Sequence, residues 1–149
     1  GGWMALLSML ALPTRVKGMV LIAPAPDFTE KLMWPEFSET AKADILERGQ
    51  HLRPSDYGEP YAITRALIED GRNWSILDAP IAFSGPVRIL QGMQDPDVPW
   101  EHAERLVTAM TREDLVFHLI KDGDHRLSRP QDIARLKAVC REIAGAVKD

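Results

Sequence analysis

One cysteine, Cys140, stands alone among 149 residues, which excludes an internal disulfide. Long apolar runs are also lacking. The longest, Trp3 to Leu12, is interrupted by Ser8 and stops at Pro13, too short to span a bilayer and better read as a buried helix. Basic charge is in deficit: 18 Lys and Arg face 22 Asp and Glu, a net charge of -4 that offers no footprint for nucleic acid or an anionic membrane. Small neutral or anionic substrates remain open. Neither a Gly-x-Gly-x-x-Gly pattern nor a P-loop is present, so no nucleotide cofactor is implied. His51, His102, His118, His125 and Cys140 show no zinc-like spacing, and no metal is expected. A lone cysteine with no signal-like segment makes the cytoplasm the expected compartment.

With 45% hydrophobic and 27% charged residues, the chain has the composition of one soluble globular domain with a sizeable core. The Leu-, Met- and Ala-rich run from Trp3 to Leu12 predicts a helix that is apolar on nearly every face. Gly18 to Pro24 brackets a short apolar run without alternation, the pattern of a strand buried on both faces of a parallel sheet. From Ala25 to Pro86 the composition turns mixed. Asp27 with Glu30 predicts a capping box for a short helix carrying Phe28, Leu32 and Met33. Pro35 to Arg48 predicts a second helix stopped by Gly49, and Pro60 to Asp70 a third stopped by Gly71, with the turn-rich HLRPSDYGEP between them. So long a separation between two buried strands reads as a helical cap inserted at about 27–84.

Pro86 to Gln91 predicts the next strand, Pro99 opens a helix with Ala103, Leu106, Val107 and Met110 on one face, and Leu115 to Ile120 predicts the third strand. A last helix from about Pro130 to Val147 places Ile133, Leu136, Val139, Cys140, Ile143 and Val147 on one stripe, Cys140 as a small core residue. Strands joined by helices imply parallel pairing with right-handed crossovers, an α/β fold.

Ligands of an open α/β sheet gather at the carboxyl ends of its strands. Asp95 lies four residues beyond one predicted strand end, and His125 five beyond the next. On adjacent strands, with axes about 4.8 Å apart, a carboxylate–imidazole hydrogen bond is easily reached. The Asp would fix the imidazole tautomer while the other ring nitrogen removes a proton from a nucleophile. Asp95 is preferred to Asp97 because it is nearer the strand end, and Asp124, adjacent to His125, is assigned to bracing the loop. His51 and His102 are expected at the surface.

GMQDPDVPW closely resembles the acid loop of α/β-hydrolases, and GDHRL their histidine loop. The opening GGW resembles the tail of a nucleophile elbow, Gly-x-Ser-x-Gly-Gly, entered just after the serine. APAPDFTEKLMW and ILERGQ are most similar to the palmitoyl-protein thioesterase and acyl-glucuronide esterase branch and its bacterial relatives. The resemblance covers essentially the whole chain. It implies a partial α/β-hydrolase fold: three C-terminal parallel strands with flanking helices and a helical cap, residues 1–149 being the C-terminal part of one domain. It makes Asp95 the acid and His125 the base of a triad whose serine comes first in sequence. None of Ser8, Ser38, Ser55, Ser75, Ser84 and Ser128 stands in the elbow pattern.

The function implied is a serine hydrolase, a carboxylesterase or thioesterase acting on a small-molecule ester or thioester, inactive as residues 1–149 because the nucleophile is absent. No cofactor, nucleic acid or membrane partner is expected. The strand at Met19 to Ala23 would expose a backbone edge, which invites self-association. Phe28, Leu32, Trp34 and Trp74, with Phe37, Tyr57 and Tyr61, are the candidate substrate-side residues of the cap. Competing readings are a non-catalytic binding protein on the same scaffold, a serine aminopeptidase and a dehalogenase. The residue two positions before Gly1 discriminates them: serine for the esterase, aspartate for the dehalogenase, an inert residue for the binding protein.

Overall fold

The structure, a computed structural model, describes residues 1–55 and 58–147, with only the backbone of Ser55. Tyr57 lies outside the described residues. The chain divides into two compact units, one comprising residues 1–26 and 76–149 and the other Asp27–Ser75.

The first unit is built on three parallel strands in the order β1 (Met19–Ile22), β4 (Val87–Gly92), β5 (Leu115–Ile120). Register runs from Met19 opposite Val87 and Val87 opposite Leu115 to Gly92 opposite Ile120. Being central, β4 is bonded on both edges and covered on both faces, so all six of its residues are buried. That is why its sequence is a continuous apolar run and not an alternation. On one face Val87 and Ile89 pack with Leu6 and Met9 of α1 (Gly2–Ala11) and Leu106 of α5 (Trp100–Ala109). On the other, Leu90 and Ile120 pack with Leu127 and with Val139 of α6 (Pro130–Ala146).

The two outer helices depart from expectation in instructive ways. α1 buries the Leu6 and Met9 stripe completely yet leaves Met4 64% and Leu10 39% exposed. In α6 the inner stripe is Asp132, Val139 and Ile143, whereas Ile133 and Cys140 are exposed. Cys140 is thus a correction: one residue on from Val139 is about 100° around the helix. The stripe was drawn too wide.

The second unit closes at Ser75, short of the expected boundary at about 84, because Ile81 and Phe83 belong to the core of the first unit. There Ile81 N–H donates to Ala109 O (2.8 Å) and Ile81 O accepts from Thr111 N–H (3.1 Å). Within the second unit the expected Asp27–Glu30 capping box gives way to a π-helical turn, Thr29–Met33, with Phe28 at its N-cap. Asp27 has φ 56°, incompatible with the extended backbone of an N-cap, and its carbonyl accepts from Glu30 N and Lys31 N at 3.1 and 2.8 Å.

The long second helix divides into α2 (Trp34–Glu36) and α3 (Glu39–Arg48), the latter capped by Ser38 Oγ accepting from Ala41 N (3.1 Å) and stopped by Gly49 at φ 83°. HLRPSDYGEP contributes to an antiparallel pair, β2 (Gln50–Ser55) and β3 (Gly58–Thr64). α4 (Arg65–Asn73) consequently starts late, capped by Thr64. It also runs through Gly71, where a Cβ would stand only 3.1 Å from Thr29 Cβ: this glycine serves close packing and not helix termination. Ile45, Ile63 and Ile68 form the core of this unit.

Candidate active site

β4 delivers Asp95. Beyond Gly92 the ladder continues through Met93 N–H to Ile120 O (2.9 Å) and Gln94 N–H to Gly123 O (2.9 Å), so the loop leaves the sheet against the loop that follows β5. Asp95 then folds back. Its Oδ1 accepts from the backbone N–H groups of Asp97 and Val98, each at 2.9 Å, a local turn of the kind Asp favours. Its Oδ2 accepts from Gln91 Nε2 (3.1 Å) and His125 Nδ1 (2.8 Å). The Asp95 side chain is fully buried with four donors on it, the arrangement that a buried carboxylate needs. Asp97 is exposed.

β5 delivers His125. Gly123 N–H donates to Ile120 O (3.0 Å), and Asp124 Oδ1 accepts from Leu127 N–H (2.8 Å), which turns the chain around His125. Leu127, at φ 45°, anchors that turn in the α6-side core. The far end of the loop is held by Arg129, whose guanidinium donates to Asp132 (Nε–Oδ2 2.6 Å) and Asp122 (Nη1–Oδ2 2.7 Å). The bonds from Arg129 hold the carboxyls of Asp132 and Asp122 below the ordinary carboxylate range.

The two loops meet at glycine. A Cβ on Gly92 would lie 2.5 Å from the carbonyl carbon of Gly123 and 2.6 Å from Asp124 O, so only glycine allows this backbone approach. Asp95 and His125 are thereby positioned by backbone packing as well as by their own bond.

This geometry has a chemical sense. Nδ1 facing a carboxylate must carry the proton, which leaves Nε2 of the neutral ring as the acceptor. The His125 side chain is 42% exposed, so a reacting group can reach it. Ligand atoms of Asp95, Asp97 and His125 also lie within 4.8 Å of one another, a set that could approach a cation. Both Asp95 oxygens, however, already accept N–H donors and Nδ1 is itself a donor, so a metal would have to displace that network. The arrangement fits a proton-transferring pair better.

Phe28, Leu32, Trp34 and Trp74 all fall in the second unit. The first three gather at the π-helical turn. Trp34 meets Phe37 edge to face at 6.2 Å and carries Arg72 5.2 Å from its ring centre, while Trp74, at the end of α4, is 54% exposed. His102 corrects an expectation: it is buried, with Nε2 2.7 Å from Pro26 O. Extending the Leu106 stripe one turn back reaches position 102, a signal present in the sequence. His51 pairs with Asp44 Oδ2 at 3.2 Å, and Arg126 is exposed. Gln91 was missed: the only hint was an amide closing an otherwise buried strand.

No protein-family model matches the chain. It is 32% identical over 135 residues to the mouse palmitoyl-protein thioesterase ABHD10, mitochondrial, covering 89% of this chain and 45% of that protein. The chain therefore spans about half the length of this curated relative. Among solved structures, a putative hydrolase from Agrobacterium vitis S4 is 47% identical with a TM-score of 0.88, covering 96% of this chain and 57% of that one. The structure of mouse alpha/beta hydrolase domain-containing protein 10 is 28% identical with a TM-score of 0.84, covering 97% and 58%. The cytoplasmic expectation is overturned by these relatives, since the curated protein is named as mitochondrial. A lone cysteine argues only against an oxidising compartment and carries no address. Alike to these proteins over nearly all of its own length, the chain has the fold of the α/β-hydrolases.

Proposed function

We propose that Asp95 and His125 are the acid and base of a serine hydrolase triad, in a carboxylesterase or thioesterase acting on small acyl substrates, whose nucleophile lies outside residues 1–149. One observation carries this reading: at matching ends of adjacent parallel strands, His125 Nδ1 and Asp95 Oδ2 are 2.8 Å apart. Among the described residues no serine shares a hydrogen bond with His125, in keeping with a nucleophile supplied from elsewhere. The name of the curated mouse relative favours a thioester substrate.

The proton inventory closes. As a serine Oγ attacks the acyl carbon, its proton passes to His125 Nε2, and the imidazolium is stabilised by ionised Asp95. Collapse of the tetrahedral adduct expels the thiolate or alkoxide, which takes that proton from Nε2. Water then repeats the sequence, its proton going to Nε2 and on to the serine Oγ as the acid is released. Residues 1–149 alone, without the nucleophile, do not turn over. In this reading the outer edge of β1, which pairs only with β4 among the described strands, is a self-association edge when the chain is isolated.

The test is fluorophosphonate labelling of the full-length protein, with acyl thioester hydrolysis measured alongside. Wild type labels, His125→Ala does not, and Asp95→Asn labels slowly. Equal labelling of all three proteins would overturn the assignment.

A further inference from the structure

Gln91 is wholly buried at the end of β4, on the face of the sheet that carries Ile89. Its Nε2 lies within hydrogen-bond distance of three acceptors: Gly92 O (3.1 Å), Val98 O (3.0 Å) and Asp95 Oδ2 (3.1 Å). Three oxygens around one atom fix which end of the amide is nitrogen, because the reverse orientation would place Oε1 against three acceptors. Oε1 has no hydrogen-bond partner among the described residues, although it is buried. Leaving an acceptor buried and unpaired costs stability, so an amide here needs a compensating use for its nitrogen.

Both ends of the acid loop lie within reach of that nitrogen, whose two N–H groups are shared among the three acceptors. Gly92 O belongs to the residue that leaves the strand, and Val98 O to the residue that ends the loop before Pro99 and α5. Between them, Asp95 Oδ2 receives the amide and the imidazole together. Oδ1 is committed to the loop backbone, and on Oδ2 Gln91 is the second donor beside His125.

We propose that Gln91 is a positioning residue of the acid–base pair, its amide closing the acid loop at both ends and setting the charge that Asp95 Oδ2 presents to His125. This extends the hydrolase reading given above, and it is read independently of turnover. An N–H donor on Oδ2 disperses negative charge that would otherwise stabilise the imidazolium. Without it, Oδ2 holds the protonated ring more strongly. A role confined to packing would move stability and leave the titration of His125 where it was.

The experiment is an NMR titration of the His125 ring in the full-length protein, in wild type, Gln91→Met, Asp95→Asn and the double variant. Met keeps the length and apolar bulk of the side chain and removes the donor. Asp97, the other carboxylate near the ring, is the same in all four proteins. The His125 midpoint is expected to rise in Gln91→Met and to be indifferent to Gln91 in the Asp95→Asn background. In wild type, the Gln91 side-chain N–H signals should shift along the same curve as the His125 ring. That second measurement stands even where Gln91→Met fails to fold. Gln91 signals blind to the state of His125, or a midpoint unmoved in Gln91→Met, would overturn the proposal. Coupled titration without fluorophosphonate labelling of the full-length protein would instead leave Gln91 in place and remove the hydrolase reading.

Discussion

Replacing Gly92 by alanine tests whether backbone contact positions the pair. A Cβ at this position would stand 2.5 Å from Gly123 C and 2.6 Å from Asp124 O, against the 3.4 Å at which ordinary contact begins. All of the atoms it meets are backbone, so no side chain can rotate away. The loop carrying His125 must retreat by about 1 Å. The 2.8 Å bond from Nδ1 to Asp95 would then stretch beyond hydrogen-bond reach. Overpacking of this kind costs roughly 1–3 kcal/mol, and a 1 Å misplacement of a catalytic group can cost about 100-fold in rate.

Two other glycines calibrate the result. At Gly123 a Cβ meets Leu127 Cδ2 at 2.6 Å, the end of a side chain that can turn, and Ile120 Cγ2 at 3.0 Å. At Gly145, in α6, it meets nothing within 4 Å, and alanine there should stabilise by about 0.5–1 kcal/mol. The expected order of stability by urea unfolding is Gly145→Ala, wild type, Gly123→Ala, Gly92→Ala. Thioester hydrolysis by the full-length protein should fall most in Gly92→Ala. A Gly92→Ala protein within about 0.5 kcal/mol of wild type, with the His125 ring signal unmoved, would refute the reasoning.

Two further predictions concern the base loop and the sheet edge. Asp122 and Asp132 have their folded-state carboxyls depressed by Arg129, so their contribution to stability is present above the ordinary carboxylate range and is lost as pH falls through the depressed values. Arg129→Met should therefore be less stable near neutral pH and converge on wild type below about pH 4 in urea unfolding series; parallel curves would count against the ion pairs. In residues 1–149 alone, Met19 N–H donates to Pro86 O and Ala23 N–H to Leu90 O, which by alternation turns Val20 and Ile22 N–H to the outer edge. Light scattering should show a mass that rises with concentration and is reduced by Ile22→Pro, whereas a monomer at every concentration would remove the edge-pairing idea.

The three sheet strands were legible because each is a short apolar run bounded by Gly, Pro or polar turns, and a doubly covered strand has no polar face to confuse its pattern. The β2–β3 pair was not. Pro54 and Pro60 read as turn residues, and β3 leaves five of its seven residues exposed. In a two-stranded ribbon each strand has a free edge where proline costs no ladder bond, so the local signal and the structure disagree without contradiction. Cys140 and His102 mark the limit of helical periodicity in opposite ways. One lies a residue outside the true stripe, the other one turn before Leu106 and inside it.

The pairing of Asp95 with His125 could be anticipated because a parallel register converts counting into distance. With Gly92 opposite Ile120, Asp95 and His125 leave neighbouring strand ends only a few residues out, and the Gly92–Gly123 contact prevents the two loops from separating. Gln91 followed no such rule. Its significance depends on Gly92 O, Val98 O and Asp95 Oδ2 converging, and those oxygens come from positions that are neighbours only once the loop has closed. Asp95 and His125 project from strand ends and can be found by counting. A residue that holds them in place sits inside the strand, where the sequence shows only a polar side chain among apolar ones. The clue worth following is therefore the buried polar residue that the core has no reason to accept.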